Sequence, residues 1–136
     1  MAFKLVISDP KTRKAVQKEV DEKTSGLNGK KIGDKVPGEP LGIAGFELEV
    51  TGGSDKDGFP MRKDIDGINR KRALVIRSLG MRDKVKGLRK RKSVRGNTIS
   101  PAVSQINMKI VKYGTKSLEE TLGVKAKEEK KEEKAE

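Results

Sequence analysis

Apolar side chains recur at every second position in three separated stretches of this chain. Phe3, Leu5 and Ile7 form one set, Phe46, Leu48 and Val50 a second, and Ile106, Met108 and Ile110 a third. A period of two places each set on one face of a strand, whereas a helix would scatter it around its axis. Phe46–Val50 is the cleanest case, because Glu47 and Glu49 fill the alternate positions. Ser8-Asp9-Pro10 breaks the first strand with turn chemistry, and Val16 and Val20 flank Lys18, so residues 15–20 return as the second arm of a hairpin. Ala73-Leu74-Val75-Ile76 is a short continuous apolar run between Arg72 and Arg77, which suits a strand covered on both faces.

Helical signals are few. Residues 24–40 hold Gly26, Gly29, Gly33, Pro37, Gly38 and Pro40, which predicts a long irregular connection with at most one helical turn near Leu27–Ile32. Ser117-Leu118-Glu119-Glu120 has the form of a capping box, and Gly123 closes a helix of about two turns. In residues 125–136 the i,i+4 pairs Lys127/Lys131, Glu128/Glu132, Glu129/Glu133 and Lys130/Lys134 are all like-charged, which predicts a disordered Lys/Glu tail. The expected fold is mainly β: a small antiparallel barrel-like domain with a short C-terminal helix, an extended basic arm and a disordered charged tail. Residues 1–124 form the β-rich domain, including the arm at 81–98.

Composition excludes several functions. Hydrophobic residues make up only 32% of the chain and charged ones 38%, so the core is modest. Cysteine and histidine are both absent, which removes disulfides, thiolate nucleophiles, zinc ribbons and the usual general base. No apolar run is long enough to span a membrane, and Met1-Ala2-Phe3-Lys4 has no secretory character. No metal, cofactor, small-molecule substrate or catalytic residue is expected, whereas a cytoplasmic location is.

The charge is polarised. Between residues 61 and 96 fourteen cations face only three acids, a net of +11 out of the chain's +12. Residues 1–60 balance ten cations against ten acids. Like charges held on one stretch repel unless a polyanion neutralises them, and nucleic acid is the common cellular polyanion. The candidate contacts are Arg62, Lys63, Arg70, Lys71, Arg72, Arg82, Lys84, Lys86, Arg89, Lys90, Arg91, Lys92 and Arg95. Met81, Val85 and Leu88 fall at helical spacing, yet Gly87 interrupts them, and the preferred reading is an extended arm over 82–96 that is mobile until RNA orders it. The arm has no aromatic residue, so base stacking gives way to phosphate and shape contact. If about six to eight cations engage phosphates, affinity falls by several orders of magnitude over a modest rise in salt.

Thr51-Gly52-Gly53-Ser54-Asp55-Lys56-Asp57-Gly58-Phe59-Pro60-Met61 is the most particular short segment. It reads as a demanding tight loop leaving the Phe46–Val50 strand, in which Asp55 can make an Asx turn and the glycine N–H groups could cup a phosphate. A calcium loop fails, because the first ligand position falls on Gly53 and the bidentate one on Asp64. The spacing of a phosphate-hydrolysing P-loop fails as well.

This segment closely resembles the signature of the eukaryotic-type ribosomal protein six of the small subunit, a family of archaea and eukaryotes. Arg89-Lys90-Arg91-Lys92-Ser93-Val94-Arg95-Gly96 resembles a second stretch of that family. The resemblance covers roughly residues 1–124. It implies a structural protein that binds small-subunit ribosomal RNA and sits among neighbouring ribosomal proteins in translation. It also implies a barrel-like domain with extended basic segments. By motif match the RNA contacts fall on Arg89, Lys90, Arg91, Lys92 and Arg95, with Gly52, Gly53, Asp55, Gly58, Pro60 and Met61 shaping the adjoining loop. Eukaryotic members carry a regulatory serine cluster in a long C-terminal helix. Here no Ser or Thr follows Thr121, so the form resembles the archaeal branch. Two other functions compete: a DNA-binding architectural protein, which would need a recognition element, and an RNA-cleaving enzyme resting on Asp55, Asp57, Asp64 and Asp66.

Overall fold

The computed structural model describes residues 2–115. The Ser117–Gly123 helix and the 125–136 tail expected from the sequence lie outside them.

The first strand, β1, runs Ala2–Asp9 and turns into β2, Lys14–Asp21. The turn is built by Asp9, whose carboxylate accepts from the Lys11 N–H (2.9 Å) and the Thr12 hydroxyl (2.8 Å). Arg13 takes a left-handed φ of 58° to close it. Antiparallel register then pairs Phe3 with Val20 and Ile7 with Val16. A one-turn helix, α1, spans Glu22–Ser25, and a three-residue strand, β3, spans Lys35–Pro37 before a 3-10 turn at Glu39–Leu41. The connection over 24–40 is largely irregular as expected, and Leu27–Ile32, allowed at most one helical turn, forms none. That stretch turns irregularly around fully buried Leu27.

Strand β4 runs Glu47–Asp55, five residues further than the apolar alternation reaches. The extension is permitted by Gly53. A Cβ there would lie 2.3 Å from the Gln105 carbonyl oxygen of the neighbouring strand, so only glycine allows the approach. Strand β5 is Arg70–Val75, β6 is Lys90–Arg95 and β7 is Val103–Lys112.

Five of these strands make one sheet in the order β2-β1-β7-β4-β3, and β5 with β6 makes a separate two-stranded hairpin. The mainly β expectation holds, but the sheet is neither closed nor wholly antiparallel. β1 and β7 pair in parallel, Leu5 opposite Ile106, while β2 and β3 form the two edges and do not meet. Period-two patterning assigns a face to each residue but carries no information about which strand pairs with which. The alternating sets supply the core. Phe3, Leu5, Ile7, Leu48, Val50, Ile106, Met108 and Ile110 are all buried, joined by Leu27, Val36, Leu41, Ile43, Phe46, Met61, Ile99 and Val103.

Two further expectations change. Ala73–Ile76 is not covered on both faces: Val75 is buried, but Leu74 and Ile76 are 58% and 61% exposed. Only one face of the hairpin meets the rest of the domain. The basic arm at 81–98 is extended as expected, yet its second half is not a free arm. Lys90–Arg95 pairs residue by residue with Arg70–Val75, and Val94 is fully buried.

Candidate nucleic-acid interface

The β5–β6 hairpin and its connection, residues 70–95, hold twelve cations and one acid, Asp83. Something must hold this element on the domain against its own repulsion. Met61 pairs in parallel with Arg95, so residues 60–62 lie beside β6. The Arg95 N–H donates to the Pro60 carbonyl (2.9 Å) and the Arg62 N–H to the Arg95 carbonyl (3.0 Å). On the far side Gly96, Asn97 and Thr98 donate to the carbonyls of Asn69, Ile65 and Gly67.

Side chains complete the latch. Asp55, at the end of β4, is fully buried and accepts from Arg95 Nη1. It also accepts from Arg70 Nε (2.8 Å), and Arg70 Nη2 lies 2.7 Å from the same oxygen. Arg70 additionally donates to Asp57, and its guanidinium lies over the Phe59 ring at 4.6 Å. Arg95 Nη2 donates to the Ser100 hydroxyl (2.7 Å). Burial pushes the Asp55 carboxyl up, but hydrogen bonds from Arg70 and Arg95 and the Arg95 charge outweigh it, and the net shift is downward. Asp55 thus stays ionised and clamps one cation from each strand of the hairpin.

The thirteen sequence-predicted contacts therefore divide. Arg95 is buried and committed to Asp55, which makes it a structural residue. Arg62 is also largely committed: it donates to the Ser78 hydroxyl, the Leu79 carbonyl (both 3.0 Å) and Asp64 (2.6 Å). Arg70 is half latch and half surface. Lys90 pairs with Asp83 at 2.8 Å, drawing that carboxyl below its usual range through a hydrogen bond and its charge. Lys63, Lys71, Arg72, Arg82, Lys84, Lys86, Arg89 and Arg91 are exposed, and none makes an ion pair among the described residues. Lys92 is half-buried and equally unpaired. On the hairpin's outer face Arg72 stands opposite Ser93, and Leu74 opposite Arg91.

The motif segment acts differently from a phosphate-cupping loop. Gly52 and Gly53 lie within β4, where a register shift against β7 falls between Val50 and Gly52. The Gly58 N–H is taken by the Asp55 carbonyl (2.9 Å), and Asp55's own N–H by the Phe59 carbonyl (2.9 Å). Pro60 and buried Met61 deliver the chain to β6. The segment's task is to aim Asp55 inward and to seat the hairpin.

Two features were missed. Lys30 and Lys31 sit in the charge-balanced N-terminal half, yet the fold carries them to the basic side. Lys31 bridges to Thr98, its Nζ lies 3.8 Å from Asp66, and Gly33 abuts the Lys63 ammonium. Charge counted along the sequence cannot reveal this. Leu74, Ile76, Leu79 and Val85 are the second feature, exposed apolar side chains interleaved with the cations. Among the described residues no acidic cluster could hold a metal ion, and no helix is long and apolar enough to cross a membrane.

Fold and site together define a small β protein that displays a folded, unneutralised cationic hairpin. The family model for ribosomal protein S6e matches residues 3–123, and the chain belongs to that family. It is 50% identical over 131 residues to the small ribosomal subunit protein eS6 of Archaeoglobus fulgidus, covering 95% of this chain and all of the relative. Its identity to the Methanothermobacter thermautotrophicus protein of the same name is 50% over 124 residues, covering 90% and 97% of the two chains. To that of Methanocaldococcus jannaschii it is 47% over 125 residues, covering 92% and 94%.

Proposed function

We propose that this protein is a structural constituent of the small ribosomal subunit in the cytoplasm, held to ribosomal RNA by the β5–β6 hairpin. The observation that carries the reading is the set of exposed cations without acidic partners on the β5–β6 hairpin and its connection, residues 70–92. Strand pairing sets the separation of Lys71, Arg72, Arg91 and Lys92, so these four meet a phosphate array with little ordering cost, unlike a free arm. The four aromatic residues are spent elsewhere. Phe3 and Phe46 are buried, Phe59 lies under Arg70, and Tyr113 donates to Asp9. Phosphate contact is therefore the dominant mode. Lys30, Lys31 and Lys63 extend the surface, and the exposed apolar residues of the hairpin suit a seat shared with neighbouring ribosomal proteins.

A DNA-binding reading has one observation in its favour, since a two-stranded ribbon fits the major groove of B-form DNA. A-form RNA closes that groove to side chains, so on RNA the hairpin must grip phosphates or an irregular loop. Filter binding to small-subunit ribosomal RNA and to duplex DNA at matched salt separates the two. The expected result is preference for folded RNA, a steep salt slope, and a slope shallower by about one for Arg91→Gln. Equal affinity for DNA refutes the ribosomal assignment, as does absence of the protein from the small-subunit peak of a native gradient.

A further inference from the structure

A cavity of about 420 Å³ opens between the Gly58–Pro60 turn, the Leu79–Asp83 segment and Lys92 of β6. Its volume lies within the range that accepts one small organic group. One wall is apolar, made by Pro60 and the exposed Leu79. Gly80 sits close against Val94 and Pro60: a Cβ there would lie 3.0 Å from Val94 Cγ1 and 3.6 Å from Pro60 Cγ. Buried Met81 and Arg62, which holds the Ser78 hydroxyl and the Leu79 carbonyl, anchor the Leu79–Met81 wall of the cavity.

The polar lining is chemically mixed. Arg82 and Lys92 carry charge without an ion-pair partner among the described residues. Asp83 is the lone acid in a stretch of twelve cations, a poor choice for a surface that only grips phosphate. Lys90 occupies Oδ2 of Asp83 and leaves Oδ1 free among the described residues. An ionised carboxylate is a pure acceptor with capacity beyond that one bond. It suits a partner with adjacent N–H donors, and among the RNA bases only guanine presents N1–H and an exocyclic amine side by side.

We propose that this cavity holds one unpaired guanine nucleotide of the bound RNA. The base lies against Pro60 and Leu79, its N1–H and N2–H edge donates to Asp83, and its phosphate meets Arg82 and Lys92. The proposal rests on the RNA-binding reading and adds a base-selective site to contacts that are otherwise indifferent to sequence.

The test uses four RNA hairpins that differ only in one bulged nucleotide, G, A, C or U, titrated against the full chain by fluorescence anisotropy at fixed salt. The bulged G should bind about tenfold more tightly than the bulged U, the discrimination expected of a two-donor contact. Asp83→Ala should abolish that preference without lowering affinity for the other three, since it removes an anion from a cationic surface. Lys92→Gln should weaken all four alike while retaining the preference. A melting curve shared with the wild type shows that each variant is folded. Equal binding of the four bulges, or a G preference that survives Asp83→Ala, overturns the pocket and leaves the hairpin reading standing. Failure of all four to bind overturns both.

Discussion

Replacing Asp55 by Asn tests what holds the cationic hairpin on the sheet. The substitution keeps the shape and one acceptor oxygen but removes the charge that faces Arg95 and Arg70. The Asp55 side chain is 0% exposed and that of Arg95 8%, so this pair sits out of water. Arg70 is 36% exposed, retains Asp57, and its share is discounted for solvent screening. Leaving a buried partner uncompensated costs about 3–5 kcal/mol. The remaining amide oxygen puts the expected loss near the lower end, about 3 kcal/mol, a large part of the roughly 5–15 kcal/mol that holds a domain folded. At this chain length it lowers the melting midpoint by roughly 10 °C, read by calorimetry at neutral pH. The pH dependence has a definite sign. The folded Asp55 carboxyl titrates below its unfolded value, so its contribution is complete above about pH 4 and is lost as pH falls through the folded value. The gap between wild type and Asp55→Asn therefore closes in acid. Asp55 Oδ1 and Arg95 Nε are buried without a hydrogen-bond partner among the described residues, so the latch is not fully satisfied. Asp55→Leu combined with Arg95→Met should accordingly recover most of the loss, as apolar replacement of buried ion pairs often does. An Asp55→Asn protein melting within about 2 °C of wild type refutes the latch. So does a double-mutant cycle in which the Asp55 and Arg95 changes simply add.

Three further outcomes follow from the packing. Gly96→Ala places a Cβ 1.9 Å from the Gly67 carbonyl oxygen, where backbone rather than a flexible side chain must yield; a loss of about 3 kcal/mol or more in denaturant unfolding is expected, and an unchanged midpoint contradicts the close approach. Tyr113→Phe removes a 2.6 Å hydrogen bond to Asp9, whose carboxyl burial raises but whose bonds from Tyr113 and Thr12 lower overall. The cost should be about 1–2 kcal/mol at pH 7 and vanish as pH falls through the lowered folded value of Asp9, because this stability too belongs to the ionised carboxylate; a cost independent of pH rejects it. In hydrogen exchange of the free protein, amides of Lys90–Arg95 bonded within the sheet should be protected while residues 82–87 exchange fast; uniform fast exchange across 82–95 would restore the free-arm description.

The central strands were legible because apolar residues recur at every second position over Phe3–Ile7 and alternate strictly with polar ones over Ile106–Ile110. Strand β6 was not, since Lys90-Arg91-Lys92-Ser93-Val94-Arg95 offers a single core residue, Val94. Its strand state comes from pairing with Arg70–Val75, a tertiary cause that local composition does not record. The Asx turn expected of Asp55 is not what its carboxylate makes: its partners Arg70 and Arg95 lie 15 and 40 residues downstream, and a local motif cannot announce them. The same distance hid the commitment of Arg95, which in sequence is indistinguishable from Arg91. Lys30 and Lys31 went unnoticed because their half of the chain is neutral on average, although the fold sets Lys31 against Thr98 and Asp66. Open sheet and closed barrel share the same face pattern, so that choice rests on how the edge strands β2 and β3 lie.

The central claim is that the folded β5–β6 hairpin is the element that meets ribosomal RNA. Ultraviolet cross-linking of native small subunits, with mass-spectrometric mapping of the RNA-linked peptides, tests it most directly. The claim predicts cross-links concentrated in residues 70–92, with Arg95 unmodified. Cross-links confined to the β2 edge or to the polar face of the sheet, with none between Lys71 and Lys92, would contradict it.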